Sequence, residues 1–448
     1  MALSTFKRGL RLPPRKHATE GRPIELSPIP QQVAIPINQH FGSPNKSIVN
    51  SGDTVVRGQK IADAADSAEG ARPLAVPVHA SISGKVVKIE LMALSNNTVG
   101  PCIVIDAQGP QDQEEFLPPL DPFTCTREEI LERIREAGIV GKGGAGFPTY
   151  VKLSPPPGKN IDCIIANGAE CEPYLTIDAA VMIEKTDLFI KGIAIAMHVT
   201  GVTRAIIGLE EHNRQLVPII EQELQAQSIS GDISVRLCKA RYPQGGEKML
   251  IKALTGREVP SGGLPMDAGC IVFNIGTIVS IAVAFTQGKP FIDRYLTVSG
   301  GACKTPKNIR IPIGASLKDL PADFMDIDYS RLARILYGGP MMGSAVASLE
   351  VPVQKNTSGI ILMTKEETAL YAEGPCIRCA RCLNNCTCRL APVMIKENID
   401  AGDYDYAVKA GLMDCVECGT CSYVCPARIK LVQRFRVGKQ LLRNKKHG

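Results

Sequence analysis

The amino-acid sequence predicts a multidomain α/β protein built from four modules. Its 448 residues exceed what a single hydrophobic core usually supports, so several modules are expected. Alternating strand and helix patterns fill the middle of the chain, and β-rich runs lie on either side. Nine of the 16 cysteines fall between residues 376 and 425, which marks a cysteine-rich module. The content of 44% apolar and 21% charged residues excludes a disordered or collagen-like chain.

Residues 1–115 are predicted to form an N-terminal all-β module. Short β-rich runs bounded by Gly, Pro and Asn recur between residues 30 and 106. The phrases VNSGDTVVRGQKIA and PVHASISGKVVKI resemble the barrel-sandwich fold of biotinyl and lipoyl carrier domains. Those carriers hold a modified lysine between the two phrases, and this chain has none between Lys60 and Lys85. The resemblance therefore implies the fold without the swinging-arm chemistry.

Residues 122–288 are predicted to form a mainly parallel α/β domain. Thr126 and Glu129 have the spacing of a capping box, which opens a helix that ends at Gly138. The repeated strand and helix patterns that follow favour a parallel sheet covered by helices on both faces. The four expected strands occupy residues 161–166, 204–209, 234–237 and 270–273.

The remaining residues are predicted to form two smaller modules. Residues 289–350 return to a β pattern, and their segment DRYLTVSGGACKTPKNIRIPIGASLKDL resembles the β-grasp, or soluble-ligand-binding, module of some redox subunits. Residues 365–448 contain the dense cysteines, between which Val393, Ile395 and Ile399 recur at near-helical spacing. An α-helical ferredoxin domain with a basic tail is therefore expected there.

The role of the basic tail is open. From Gly419 onward there are eight Lys and Arg residues and no Asp or Glu. Such a tail can stay solvated, or it can contact an acidic partner or an anionic lipid surface. Nucleic acid is disfavoured, because single-strand binding usually adds stacking aromatic side chains and Phe435 is the only aromatic residue beyond Cys425.

The dense cysteines form two runs with the same spacing. Each run has three cysteines separated by two residues, and a fourth after three more residues. Three thiolates in one loop suit three irons of a cubane, and in two-cluster ferredoxins the fourth cysteine of each run binds the other cluster. We therefore assign one [4Fe-4S] cluster to Cys376, Cys379, Cys382 and Cys425, and a second to Cys415, Cys418, Cys421 and Cys386.

Other readings of these cysteines are less consistent with the sequence. Zinc sites normally use separated C-x-x-C pairs, which would leave the third cysteine of each run unexplained. Secreted disulfide scaffolds follow a signal peptide, and the first 30 residues lack that pattern. Cys388 could replace Cys386 as a ligand, because the first run ends in CTC where the second ends in CP, but the spacing favours Cys386.

The segment VGKGGAGFP is a candidate cofactor loop with Gly141, Gly143 and Gly146. A Rossmann fingerprint needs a preceding strand, whereas a helix precedes this loop, and no Lys-Ser or Lys-Thr pair makes it a Walker loop. What remains is a run of backbone N–H groups able to approach a flat or anionic cofactor. Further polar loops follow three of the predicted strands, at the sheet edge where open α/β folds bind ligands. These loops occupy residues 167–173, 242–247 and 274–277.

Four of these segments together resemble a known family. GKGGAGFPTYVK, NGAECEP, YPQGGE and NIGT resemble the flavin- and NADH-binding subunit of respiratory complex I. The order of the four modules, over nearly all of the chain, resembles the C subunit of the Rnf electron-transport complex. The resemblance implies that FMN is held by Gly141, Gly143, Lys152, Asn167, Glu170, Tyr242, Gly245, Asn274 and Thr277. Gly146 lies in the same loop as Gly141 and Gly143. It also implies NADH stacked over the flavin near Phe147, Glu172 and Glu247, although Gly246 stands where the complex I protein has a second glutamate.

The resemblance implies a function and a location. NAD(H) would exchange a hydride with FMN, and two [4Fe-4S] clusters would carry single electrons to the rest of a membrane ion-translocating ferredoxin:NAD oxidoreductase. The chain would be a peripheral subunit on the cytoplasmic face of the bacterial inner membrane, with a ferredoxin-like iron–sulfur subunit among its partners and no nucleic acid. No transmembrane segment of its own is expected, because its apolar stretches fall short of the ~18 to 20 residues that cross a bilayer.

Two other functions remain as hypotheses. One is a flavin-free electron-transfer adaptor whose α/β core serves as a scaffold, although the retained Gly141, Gly143, Gly146 and Asn167 weigh against it. A weaker one is a nucleic-acid enzyme with a structural cluster.

Overall fold

The computed structural model describes residues 3–64, 73–144, 146–368 and 371–447. The strands are β1 Ile24–Leu26, β2 Gln32–Pro36, β3 Lys46–Ser47, β4 Thr54–Val55, β5 Lys60–Asp63, β6 Val78–His79, β7 Gly84–Ala93, β8 Val99–Ala107, β9 Cys163–Gly168, β10 Arg204–Glu210, β11 Asp232–Cys238, β12 Cys270–Asn274, β13 Asp293–Ser299, β14 Lys307–Pro312, β15 Leu332–Tyr337, β16 Ser344–Val346 and β17 Gly359–Thr364. The helices are α1 Arg127–Glu136, α2 Thr149–Lys152, α3 Ile177–Glu184, α4 Thr186–Thr200, α5 Leu216–Gln227, α6 Glu247–Thr255, α7 Ile275–Thr286, α8 Arg381–Asn385, α9 Pro392–Asp400, α10 Tyr404–Lys409, α11 Thr420–Tyr423 and α12 Leu431–His447.

The N-terminal module consists of two small antiparallel sheets. One has the strand order β2-β8-β7-β4 and the other the order β3-β5-β6. Ile35, Ile61, Ile82 and Ile103 of this module are fully buried in one apolar cluster. This confirms the predicted β fold of the region.

The α/β core contains a parallel sheet with the strand order β11-β10-β9-β12. Successive residues of β9 face opposite sides, so Ile164 packs in the main core while Cys163 and Ile165 pack in a second cluster with Leu250 of α6. Helices α4 and α7 cover the other face. The sheet is therefore buried on both sides, as predicted, and α1 begins with the predicted capping box at Thr126.

A third sheet crosses the predicted module boundaries. Its strand order is β1-β14-β13-β17-β15-β16. Strand β17 lies between β13 and β15 in the middle of the sheet, beyond the predicted end of the module at residue 350, and β1 pairs with β14 from the N-terminal region. The sequence of β17 does not indicate which strands it pairs with, because it is an unbroken apolar run that could pack in many places.

The cysteine-rich region is helical, as predicted. Helices α9, α10 and α12 pack around a small core that includes Ile395, Leu412 and Phe435. The cysteines lie on loops and short helices, and Cys421 is part of this core. No helix in the described part of the chain has both the length and the apolar character to cross a membrane.

Candidate functional site

Four loops meet at the carboxyl edge of the parallel sheet, as predicted. Asn167 at the end of β9 is the register partner of Asn274 at the end of β12. Tyr242 follows β11, and Lys142 of the glycine loop lies against α7, where its amide donates to Thr277 Oγ1 at 3.0 Å. The predicted cofactor residues are thus brought together along one edge.

The two asparagines hold these loops in place. Asn167 donates from Nδ2 to the Gly245 carbonyl at 2.8 Å and accepts at Oδ1 from the Ala169 amide at 3.2 Å. Asn274 donates to Asp178 at 2.7 Å and accepts from the Gly276 amide at 2.9 Å. Both side chains use a donor and an acceptor within the protein, so their direct effect is to shape the crevice.

The glycines of the crevice differ in what they allow. Gly143 and Gly144 are exposed, and no hydrogen bond joins their amides to another described residue. A methyl group on Gly144 would meet open space, and on Gly143 it would lie 3.5 Å from the Asn274 side chain. By contrast, a methyl on Gly146 would lie 2.9 Å from the Gln39 carbonyl, and on Gly245 it would lie 2.1 Å from the Ala169 carbonyl. Gly146 and Gly245 are therefore required by packing, whereas Gly143 and Gly144 leave the backbone open to a ligand.

Aromatic and charged side chains lie beside the glycine loop. The Phe147 ring stacks on Phe41 of the N-terminal module, with ring centres 5.9 Å apart, and Phe41 is 56% exposed. Lys152 forms an ion pair with Glu247 at 3.2 Å and donates to the Val272 carbonyl at 3.0 Å. The N-terminal module therefore contributes to one rim of the crevice.

Buried polar atoms without protein partners lie at the same edge. Gln244 is fully buried, and neither atom of its amide has a hydrogen-bond partner among the described residues. Glu170 accepts at Oε1 from the Asp178 amide at 3.2 Å, while its buried Oε2 has no such partner. Orphaned polar atoms beside exposed glycine amides fit a ligand with many hydrogen-bonding atoms, as FMN is.

Burial also changes the ionisation of Glu170. Burial removes water from this carboxyl and raises its pKa to about 8, although the positive charge of Lys16 acts to lower it. Lys16 Nζ donates to the Glu170 carbonyl oxygen at 2.5 Å. Lys16 was not among the predicted site residues, because nothing in the N-terminal sequence indicates that this segment contacts Glu170.

Glu172 accepts hydrogen bonds from two backbone amides of a neighbouring turn. Its carboxylate accepts from the amides of Met341 at 3.0 Å and Met342 at 2.9 Å, and the Tyr242 hydroxyl lies 3.5 Å away. Burial raises the pKa of Glu172 to about 7, and these amide donors act against the increase. In this structure Glu172 holds the turn between β15 and β16.

Four of the predicted cluster ligands line one pocket in the cysteine-rich domain. They are Cys386, Cys415, Cys418 and Cys421, and Cys388 lines the same pocket. Burial raises the pKa of Cys421, and the neighbouring charges of Cys415, Cys418 and Cys386 raise it further. The thiols are thus close enough to interact, and their chemistry fits the predicted second cubane.

The two cysteine runs have the same backbone conformation. Cys386 directly follows α8, and its backbone amide donates to the Leu383 carbonyl at 3.3 Å. In the same way, the Cys425 amide donates to the Ser422 carbonyl at 3.3 Å. Positive φ angles recur in pairs 39 residues apart, the spacing of Cys376 and Cys415, at Arg378 and Glu417, Ala380 and Gly419, and Arg389 and Arg428. Because Cys386 occupies the position of Cys425 in this repeat, the backbone supports Cys386 over Cys388 as the fourth ligand of its run.

The first set of cysteines is more open. Burial raises the pKa of Cys382, and Cys425 adds a smaller increase, so these two thiols lie near each other. Cys376 and Cys379 are exposed on the loop that precedes α8. Within the described ranges, no three His, Cys, Asp or Glu side chains are arranged to hold a single metal ion.

The α/β core contacts the loops that carry the second set of cysteines. Tyr242 donates from its hydroxyl to the Cys418 carbonyl at 2.7 Å. Ser261 donates to the carboxylate of Asp414, the residue before Cys415, at 2.8 Å. The sequence marks neither contact, because both join segments more than 150 residues apart.

A cavity distinct from the crevice lies at the opposite edge of the parallel sheet. It measures about 1260 Å³ and is lined by α4 and by the segments that precede β10 and β11. These segments are at the amino ends of the strands, whereas the crevice is at the carboxyl ends. None of the predicted cofactor residues lines this cavity, so its size does not identify the site.

Comparison with known proteins defines the class of protein. Residues 134–283 match the Nuo51 FMN-binding domain, and residues 4–110 match the RnfC barrel sandwich hybrid domain. The fold also resembles a chain of an NAD+-reducing [NiFe]-hydrogenase crystallised in the H2-reduced state, with a TM-score of 0.52 and 19% identity. That similarity covers 71% of this chain and 62% of the hydrogenase chain. The class is therefore a complex-I-type FMN-binding fold joined to a barrel-sandwich domain.

Two relatives identify the family. The chain is 42% identical, over 88% of its length and 84% of the relative, to the C subunit of a proton-translocating ferredoxin:NAD(+) oxidoreductase complex from Clostridium ljungdahlii. It is 38% identical, over 97% of its length and 96% of the relative, to the C subunit of a Na(+)-translocating complex from Acetobacterium woodii. The chain belongs to the RnfC family, the C subunits of the Rnf ion-translocating ferredoxin:NAD(+) oxidoreductase complexes, as its sequence predicted.

Proposed function

We propose that this chain is the peripheral subunit that exchanges electrons with NAD(H) in a membrane ion-translocating ferredoxin:NAD oxidoreductase. It would hold FMN in the crevice and two [4Fe-4S] clusters in the helical domain. One observation carries the proposal: the crevice lies directly beside the second set of cysteines, and Tyr242 bonds to the backbone of Cys418. Membership of the RnfC family supports the same function.

The FMN site would use the open backbone of the glycine loop. FMN, when bound, exchanges a hydride with the nicotinamide ring and single electrons with iron–sulfur clusters. The exposed Gly143 and Gly144 amides and the unpaired Gln244 amide are the available donors. Gly141, Gly146, Lys152, Asn167, Tyr242, Gly245, Asn274 and Thr277 would shape the crevice around it.

Glu170 would bind the flavin as a neutral acid. Its pKa of about 8, which burial raises, leaves the carboxyl mostly protonated at neutral pH. The protonated group can donate from the unpaired Oε2, whereas a carboxylate could only accept. A neutral group at this position also avoids repelling an anionic cofactor.

NADH would enter from the rim formed by the glycine loop. Exposed Phe41, stacked on half-buried Phe147, offers an apolar surface, and Glu247 is accessible beside Lys152. Glu172 would act indirectly, through the turn that it holds by two amide hydrogen bonds. This differs from a direct nicotinamide contact.

The two cluster sites would face different neighbours. Each [4Fe-4S] cluster, when bound, carries one electron at a time. The Cys386, Cys415, Cys418 and Cys421 site lies against the core through Tyr242 and Ser261, so it would be the one nearer the flavin. The loop with Cys376 and Cys379 is exposed, and Ile377 between them is 64% exposed. The Cys376, Cys379, Cys382 and Cys425 site would therefore face a ferredoxin-like partner subunit at the cytoplasmic face of the membrane.

The proposal can be tested on the purified chain loaded with FMN, iron and sulfide. Anaerobic addition of NADH should bleach the flavin absorbance and produce EPR signals of reduced [4Fe-4S] clusters. A flavin that stays oxidised while dithionite reduces both clusters would contradict NADH oxidation. A chain that never takes up FMN but assembles both clusters would support the flavin-free adaptor instead.

A further inference from the structure

Residues 4–10, which we call the strap, connect the α/β core with the cysteine-rich domain. On the core side, Ser4 exchanges backbone hydrogen bonds with the end of β11, through Leu237 at 2.8 Å and Lys239 at 3.0 Å. Leu10 exchanges a second pair with Tyr242, at 2.9 and 2.7 Å. The strap is thus fixed at both ends to the strand and loop that form one side of the crevice.

The middle of the strap contacts the end of α8. Arg8 donates from Nη1 to the Leu383 carbonyl at 2.8 Å, and the Gly9 amide donates to the Asn385 carbonyl at 3.3 Å. These carbonyls belong to the last turn of α8, where backbone acceptors lack partners within the helix and a cation is favourable. The next residue is Cys386, the predicted crossover ligand of the second cluster.

A turn in the strap at Arg8 and Gly9 directs the Arg8 side chain toward α8. Arg8 and Gly9 both have left-handed φ angles, 67° and 78°. A methyl group on Gly9 would lie 2.5 Å from the Tyr242 carbonyl, so only glycine permits this approach. Arg241 donates to the Arg8 carbonyl at 2.8 Å and fixes the turn from the core side.

The charge of Arg8 reaches the cluster site without a carboxylate to neutralise it. No ion pair joins Arg8 to a carboxylate in the part of the chain that the structure describes. The Leu383 carbonyl that accepts from Arg8 also accepts from the Cys386 amide at 3.3 Å, so the guanidinium shares one acceptor with the backbone of the predicted ligand. Reduction adds negative charge to a cluster, and a nearby cation favours the reduced form.

We propose that Arg8 is a positioning residue for the second cluster, which holds the Cys386 end of α8 against the core and raises the reduction potential of that cluster by its charge. The proposal rests on the proposed function, because it requires the cluster that Cys386, Cys415, Cys418 and Cys421 would bind. It assigns a role in electron transfer to an N-terminal segment that carries no cofactor-binding motif.

The test uses the full chain with both clusters assembled. The midpoint potentials of the two clusters are measured by EPR-monitored redox titration in the wild type and in Arg8→Gln, Arg8→Lys and Arg11→Gln variants. Arg11 is the matched control, since it is an exposed arginine three residues further along. Arg8→Gln should move one of the two potentials to a more negative value, Arg8→Lys should restore most of that change, and Arg11→Gln should leave both unchanged.

Several results would overturn the proposal. Equal potentials in Arg8→Gln and wild type would exclude the electrostatic role, and an equal shift in Arg8→Lys and Arg8→Gln would show that charge is not the cause. If Arg8→Gln fails to retain the second cluster, iron content decides: retention in Arg8→Lys supports the proposal, and loss in both variants contradicts it. A wild type without two cluster signals would instead contradict the proposed function.

Discussion

The Tyr242 hydroxyl lies 2.7 Å from the carbonyl oxygen of Cys418 and donates a hydrogen bond to it. Tyr242 belongs to the polar loop after β11, and Cys418 belongs to the second cysteine run. A single side chain therefore spans the boundary between the candidate flavin crevice and the candidate cluster pocket. Because burial raises the pKa of Tyr242 far above its ordinary value, the hydroxyl keeps its proton and remains a donor at all physiological pH values.

Removal of this hydroxyl should loosen the cluster domain. Tyr242→Phe leaves the Cys418 carbonyl without its donor, which we expect to cost about 1 to 2 kcal/mol of stability. Calorimetry measures the stability, and EPR reports the second cluster. Tyr337→Phe is the matched control, since Tyr337 also donates from a buried hydroxyl to a carbonyl, that of Val351, but lies in the third sheet. A change in cluster signals in the control as well would argue against a specific role of Tyr242.

Iron content should distinguish Cys386 from Cys388. Cys386→Ala removes a ligand, so the isolated chain should retain about four of about eight irons. Cys388→Ala should retain all of them, because Cys386 and not Cys388 matches Cys425 in the backbone repeat. Iron and acid-labile sulfide assays provide the measurement. Loss of a cluster from Cys388→Ala, with retention in Cys386→Ala, would reverse the ligand assignment.

A methyl group at Gly143 should block the flavin without harming the fold. The added carbon would make an ordinary 3.5 Å contact with Asn274 in the protein, but it would occupy the side from which a ligand reaches the backbone. We expect Gly143→Ala to bind FMN at least about tenfold more weakly, a loss of ~1.4 kcal/mol. Fluorescence titration of the flavin measures this. Gly374→Ala is the control, because its added carbon would lie 3.9 Å from Ala427 of the cysteine-rich domain, and it should bind FMN normally.

The stability of the chain should fall as the pH rises through the range in which Glu170 ionises. Its pKa in the folded protein is about 8, raised by burial, whereas an unfolded glutamate titrates near 4.3. The contribution of the neutral acid is complete below the unfolded pKa and is lost as the pH rises through about 8. Between these two pKa values, the free energy of unfolding of the wild type should fall with pH more steeply than that of Glu170→Gln, by about 1 kcal/mol per pH unit.

Melting temperatures between pH 5.5 and 8.5 would reveal this difference. The melting temperature of Glu170→Gln should still fall somewhat with pH, because burial also raises the pKa values of Glu172 and Glu210, to about 7. Glu221→Gln on the exposed face of α5 serves as the control and should follow the wild type. Identical pH profiles for wild type and Glu170→Gln would mean that Glu170 is ionised in the folded chain.

Local patterns in the sequence predicted much of the architecture. The capping box at Thr126 opens α1, and the alternation of apolar strands and helices predicts the parallel sheet, because both depend on neighbouring residues. The same holds for the two cysteine runs, whose spacing indicates shared loops. The loop motifs indicated the family, which the relatives confirm.

The tertiary structure decided how distant segments meet. It placed β17 in the middle of the third sheet, brought the strap to α8, and directed the Glu172 carboxylate to the amides of Met341 and Met342. It also placed Lys16 beside Glu170. These contacts join residues far apart in the chain, and their energies depend on burial and on atomic distances that no sequence window contains. The residue types and their spacing therefore predicted an FMN-binding domain and two runs of cluster-binding cysteines, and only the packing of the domains decided which cysteines adjoin the crevice.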